Sequence, residues 1–157
     1  MRNFERSLPM SLLKAREAVM KKFIPHLREH DLSPQQWRVL RALNENNGLE
    51  MSTLSEVCYL LMPSLSRIVQ NLEGRGLVTR RTSERDQRRS IISLSPPGLE
   101  LVELIAPESE ARYEHITKVF GYGKLELLYE LLEELVVKLD TDEAAGEGTS
   151  ASRTGDD

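Results

Sequence analysis

The chain of 157 residues has one cysteine, Cys58, which excludes an intramolecular disulfide and any metal site built on several thiolates. Its three histidines, His26, His30 and His115, lack HExxH or any similar metal-ligand spacing. There is no secretory signal and no apolar run of membrane-spanning length, so the expectation is a cytoplasmic protein with no membrane partner. No serine sits in a glycine-rich elbow, no carboxylates are paired for acid–base work, and no phosphate loop occurs. The expectation is therefore a protein that is not an enzyme, with neither metal nor cofactor.

An overall excess of positive charge is also missing, since the net charge is −4. The shortage is uneven. Residues 140–157 hold six acids against Arg153, a net of −5, which leaves +1 for the rest of the chain. Between Arg75 and Arg89 six arginines face only Glu84 and Asp86, a local +4 that has the density of a phosphate-binding footprint. At this length the chain is one domain, or one domain with an appendage, and can bury a real core.

What is there is organised around Met62–Gly76. Leu65, Ile68, Val69 and Leu72 recur at helical spacing and form a stripe for a core. Pro63, Ser66, Arg67 and Gln70 form an adjoining stripe, with Ser64 and Asn71 nearby. A helix that packs on one side and offers serine, arginine and glutamine on the other suits a DNA major groove, where arginine forks onto guanine and glutamine onto adenine.

Around it the elements follow in order. Ser7 and Pro9 open a first helix with Leu13, Met20, Phe23, Ile24 and Leu27 as its apolar positions, and Pro25 predicts a kink. Ser33, Pro34 and Gln36 form a capping box for a second helix that buries Trp37, Leu40 and Leu43 and ends at Asn46-Asn47-Gly48. Ser52 is expected to cap a third, short helix with Leu54, Val57, Cys58 and Leu61 buried, and Pro63 begins the fourth. This is a helix-turn-helix. After Gly74 and Gly76 the period changes to two: Leu77–Arg81 and Ser90–Leu94 read as a hairpin with an arginine-loaded tip, able to reach a minor groove. Ser95 caps a fifth helix, with Leu101, Leu104 and Ile105 inward until Pro107 bends it. The last helix carries Leu125, Leu128, Leu131, Leu132, Leu135, Val136 and Leu139. That stripe is too wide for one subunit to bury and predicts a homodimer formed through the first, fifth and last helices.

The fold class is thus mainly α with a small β-hairpin wing: a winged helix-turn-helix plus a helical dimerisation domain. Residues 1–33 and 96–139 form the dimerisation region, residues 34–95 the DNA-binding lobe, and residues 140–157 an acidic tail expected to be disordered.

Asp86-Gln87-Arg88-Arg89-Ser90-Ile91-Ile92-Ser93-Leu94-Ser95 resembles the wing signature of the MarR family, DxRxxxxxLT, with Ser95 in place of threonine. Leu72-Glu73-Gly74-Arg75-Gly76-Leu77-Val78 resembles that family's LExxGLV stretch. Leu12–Ala18 and Leu32–Arg38 are similar to the branch that represses homoprotocatechuate (4-hydroxyphenylacetate) degradation operons. The resemblance covers about Leu8 to Leu139. It implies a homodimeric repressor on a palindromic operator of double-stranded DNA. Ser64, Ser66, Arg67 and Gln70 would read bases, Arg88 would enter the minor groove held by a salt bridge from Asp86, and Arg85 and Arg89 would meet phosphate.

The resemblance further implies a small aromatic carboxylate as effector, which needs a cation and an apolar wall. Arg16 is the candidate cation, Trp37 the ring contact, and His26 or His30 the partner of a phenol, although the histidines and Trp37 also suit structural roles. Another aromatic acid, or oxidation of Cys58, is the alternative signal. The rival from another class is a winged-helix module that binds protein and not DNA; such a module has no need of Arg85, Arg88 and Arg89 at a wing tip.

Overall fold

The computed structural model describes residues 3–150, with side chains placed as far as residue 144. After a short 3-10 turn at Phe4–Arg6 come α1 (Leu8–Glu29), α2 (Pro34–Glu45), β1 (Leu49–Glu50), α3 (Met51–Cys58), α4 (Met62–Gly74), β2 (Val78–Thr82), β3 (Ser90–Leu94), α5 (Pro96–Phe120) and α6 (Tyr122–Ser150). The chain divides into two compact units, residues 1–112 and 113–157.

In the first unit the core is built by α2, α3, α4 and the sheet. Val39, Leu40, Leu43, Leu54, Leu65, Val69, Leu72 and Ile92 are fully buried, and Ile105 of α5 joins them. The strands lie in the order β1-β3-β2, both pairs antiparallel, with Val78 opposite Leu94 and Leu49 opposite Ile92. β1, a third strand, was not expected from the sequence. Its two residues are too few to carry an alternation, and they are a strand only because β3 is beside them.

Local chemistry explains most boundaries. The Ser33 hydroxyl accepts the Gln36 N–H at 3.1 Å and the Gln36 side chain accepts the Ser33 N–H at 2.9 Å, which is the expected capping box. Ser95 Oγ accepts the Gly98 N–H at 3.1 Å, and its own hydroxyl donates to the Gly76 carbonyl, so the serine at this signature position joins α5 to the start of the wing. Ser7 stands before α1, but its hydroxyl donates back to the Phe4 carbonyl and does not cap. α1 runs through Pro25, and α5 runs through Pro107, without interruption as helices.

One capping and three burial expectations need correction. α3 begins at Met51, one residue before Ser52, so Ser52 is inside the helix and not its cap. Leu54 and Cys58 are buried, whereas Val57 and Leu61 are exposed. Tyr59 adopts a left-handed conformation (φ 50°) that ends α3, so Leu61 begins a new helix and does not continue the old stripe. In α5 the inward residues are Val102 and Ile105, while Leu104 is exposed.

In the second unit α6 buries no residue completely among its described side chains, residues 122–144. Leu128, Leu131, Leu132, Val136 and Leu139 are exposed and Leu125 and Leu135 half-buried. α6 also continues past Asp140 to Ser150, where a disordered tail was expected. Glu143 and Ala144 favour helix and can prolong one already nucleated, which composition alone does not register. The remaining tail residues, 151–157, lie outside the described residues.

Candidate nucleic-acid interface and effector cavity

α4 packs through Leu65, Val69 and Leu72 and leaves Ser64, Ser66, Arg67 and Gln70 exposed. Among the described residues none of these four side chains has an intramolecular partner, so all are available to a ligand. Beside α4 lies a groove of about 430 Å³ lined by Ser66, Arg80, Arg88, Arg89, Glu50 and Ser52 among others. One serine of the helix and three arginines of the wing therefore face a single groove. Arg85 is exposed outside that lining.

The wing tip is a built turn. Ser83 is buried, its N–H donates to the Arg89 carbonyl at 2.9 Å, and its hydroxyl accepts the Arg85 N–H at 3.3 Å. Asp86 Oδ1 accepts the Arg88 backbone N–H at 3.0 Å. An aspartate bonded to the backbone two residues on fixes a turn.

The expected Asp86–Arg88 salt bridge is not formed. The guanidinium near Asp86 belongs to Arg89, with Nε 3.6 Å from Oδ2, and Arg89 Nη1 also lies 2.9 Å from Glu50 Oε2. With one oxygen of Asp86 bonded to the backbone of Arg88, the other is in reach of the residue three positions on. Arg88 is left without an ion pair among the described residues, which suits insertion into a groove better than a paired guanidinium does.

The arginines of the basic stretch thus separate by partner. Among the described residues Arg81, Arg85 and Arg88 have no side-chain partner, Arg80 pairs with Glu73 at 3.3 Å, and Arg89 bridges Glu50 and Asp86. Arg75 donates to backbone carbonyls of Asp31 and His30 at 2.8 and 3.2 Å. Neither Glu50 nor Ser83 was identified from the sequence; their partners lie 39 and 6 positions away, and no local pattern announces them.

A second cavity, of about 190 Å³, is lined by Trp37 and Arg41 of α2 and by Val102, Ala106, Ser109 and Glu110 of α5, together with Asn44. Ser109 Oγ is buried and has no hydrogen-bond partner. Arg41 was missed because on α2 alone it reads as a solvated charge pairing with Glu45, which it does at 3.1 Å. Arg16, His26 and His30 are not in this lining. Arg16 is exposed on α1 and pairs with Glu17 at 3.0 Å. His26 is buried with Nδ1 3.0 Å from Glu108 and 3.4 Å from Glu29, and its ring meets His30 edge-on at 5.1 Å. That arrangement joins α1 to α5, and among the described residues His26 Nε2 is buried without a hydrogen-bond partner.

Cys58 is fully buried, and burial pushes its thiol up from the ordinary value, opposed by the nearby Arg38 guanidinium. A thiol held protonated and covered has little thiolate with which to sense oxidants.

The sequence pattern of the MarR family matches residues 30–89. The chain is 41% identical over 129 residues to the HTH-type transcriptional regulator FarR of Neisseria gonorrhoeae, covering 82% of this chain and 88% of that protein. It is 38% identical over 130 residues to the homoprotocatechuate degradative operon repressor of Escherichia coli, covering 83% and 88%. Among solved structures, NadR in complex with 4-hydroxyphenylacetate superposes with a TM-score of 0.74 at 39% identity, over 86% of this chain and 96% of that one.

Proposed function

Since the chain belongs to the MarR family of transcriptional regulators, and so to regulators and not enzymes, we propose that it acts as a homodimeric repressor of an aromatic-acid catabolic operon, bound to a palindromic operator and released by a small aromatic carboxylate. The observation that carries the reading is the uncommitted stripe Ser64, Ser66, Arg67 and Gln70 beside a groove that also holds Arg88 and Arg89. In this reading the stripe contacts base edges in the major groove, Arg88 enters the minor groove, and Arg85 and Arg89 meet phosphate. Arg89 would exchange Glu50 and Asp86 for phosphate on binding.

A second copy is the partner that the apolar helix faces call for. Leu8, Leu12, Leu13 and Val19 on α1 and the leucines of α6 are exposed in each of the two units. Large apolar faces of this kind mark association surfaces, and a two-fold dimer places its recognition helices in successive major grooves about one helical turn apart.

For the effector, a cavity of about 150 Å³ is enough for benzene, so the mixed polar and apolar cavity beside Trp37, of about 190 Å³, is of a size for a single substituted ring. Trp37 supplies the wall, Arg41 the cation and Ser109 an unused hydroxyl. Arg16, on a face the dimer would cover, is a second cation. The E. coli relative, named for homoprotocatechuate degradation, and NadR, solved with 4-hydroxyphenylacetate, support an acid of that class. Ligand would favour a dimer whose helices no longer match the grooves, and a coupling of about 1–3 kcal/mol gives a 5–150-fold change in affinity.

A footprint on the DNA immediately upstream of the protein's own gene tests this. The expected result is one protected inverted repeat, lost on adding 4-hydroxyphenylacetate or homoprotocatechuate. Protection without symmetry would contradict the dimer, and protection that neither acid relieves would contradict this effector class.

A further inference from the structure

We infer that Arg75, together with the Gln36–Asn71 pair, is a positioning device that sets the recognition helix against the α1–α2 connection. The inference rests on the reading that α4 enters DNA. Arg75 belongs by sequence to the basic stretch that predicts phosphate binding, yet its guanidinium is already engaged: Nη1 donates to Asp31 O at 2.8 Å and Nη2 to His30 O at 3.2 Å. His30 caps the C-terminal end of α1, and Asp31 is left-handed at φ 53°. Carbonyls at a helix C-terminus have no partner within the helix and attract a cation, so a forked guanidinium fits there by both geometry and charge.

A second strut lies one turn earlier. Gln36 Nε2 donates to Asn71 Oδ1 at 2.9 Å, while the other end of the same carboxamide accepts the Ser33 N–H. The Asn71 carbonyl in turn accepts the Arg75 N–H at 3.0 Å. Residues 30–36 therefore hold the C-terminal half of α4 at two points. Apolar burial of Leu65, Val69 and Leu72 is non-directional and leaves the helix some freedom to rotate and slide. Directional bonds at Asn71 and Arg75 remove that freedom, and Gln70 and Arg67 ride on the same turns. Base contacts need their side chains held to within about 0.5 Å. Trp37, next to Gln36, lines the cavity beside α5, so the segment that fixes α4 also borders the proposed effector site.

The test is anisotropy of the full-length protein with a duplex from immediately upstream of its gene and with a shuffled duplex, over a series of salt concentrations. Arg75→Ala and Asn71→Ala are expected to lower preference for the upstream duplex roughly 3- to 10-fold each, the weight of one or two hydrogen bonds. The salt slope should stay at the wild-type value and the melting temperature close to it, since both residues are exposed. Arg75→Lys, which keeps the charge but loses the fork, should resemble Arg75→Ala. A salt slope lower by about 1 in Arg75→Ala and restored in Arg75→Lys would make Arg75 a phosphate contact and overturn the inference. Wild-type preference in both alanine variants, with Arg67→Ala losing it, would overturn this inference alone. A wild-type protein with no preference would remove the DNA reading and this inference with it.

Discussion

Single side chains divide here according to whether they are already bonded within the molecule. Arg67 and Arg88 are not, and they are expected to behave differently because the proposed complex sets one against base edges and the other in a groove lined with phosphate. Arg67→Ala should cost about 1–3 kcal/mol of discrimination between operator and shuffled DNA. Arg88→Ala should lower the slope of log affinity against log salt by about 1 and weaken preference for A·T flanks. Salt-dependent titrations of the two variants check both.

Cys58 makes a prediction about pH. Burial raises its pKa in the folded state, so as pH rises the unfolded chain releases the thiol proton first, near the ordinary value of about 8.5. The native state then binds more protons than the unfolded one, and stability falls with rising pH above that value while being complete below it. Urea midpoints should therefore drop between about pH 7 and about pH 9.5 by more in wild type than in Cys58→Ala. A native thiol that reacts with a disulfide reagent as fast as the unfolded chain would contradict the buried assignment and revive oxidation as a signal.

At the scale of elements, what the sequence discloses is what is decided locally. The capping box at Ser33–Gln36, the turn residues around the wing and the two-faced pattern of α4 depend on neighbours within a few positions, and each appears where the spacing places it. β1 depends on β3, more than forty residues away. The exposure of Val57 and Leu61 depends on one left-handed residue, Tyr59, and the cavity beside Trp37 exists only because α5 lies over α2. The exposed polar stripe of α4 and the arginines of the wing were legible because each lies on one helix or one hairpin. Arg41 and Ser109 were not, because the cavity they line is formed by two helices far apart in sequence, and Glu50 was not, because its partner Arg89 belongs to the wing.

Gly98 marks a close contact between elements. A Cβ there would sit 2.0 Å from the Leu77 carbonyl oxygen and 3.3 Å from Leu94 Cδ2, so α5 and the root of the wing can meet only at glycine. Gly98→Ala is expected to destabilise by about 1–3 kcal/mol as overpacking, despite alanine's better helix propensity. A urea midpoint at or above the wild-type value would show that the backbone relaxes there.

For the whole molecule, an acidic net charge coexists with a basic wing because residues 140–157 carry a net −5 and the rest of the chain +1. The exposed apolar faces of α1 and α6 predict a dimer at micromolar concentration by sedimentation. Replacing Leu131 and Leu132 with glutamate should shift it towards monomer and weaken operator binding together, since a single lobe contacts only half a palindrome. Monomeric protein with unchanged operator affinity would separate dimerisation from recognition.

In the proposed function this surface binds a specific DNA sequence and an aromatic acid controls the binding. The most direct test is a fluorescence-anisotropy titration against the upstream duplex, with and without 4-hydroxyphenylacetate and homoprotocatechuate. The account predicts tight, steeply salt-sensitive binding that exceeds binding to a shuffled duplex and is relieved by one of the two acids. Equal affinity for both duplexes would contradict it and leave a winged-helix protein-interaction module as the better description.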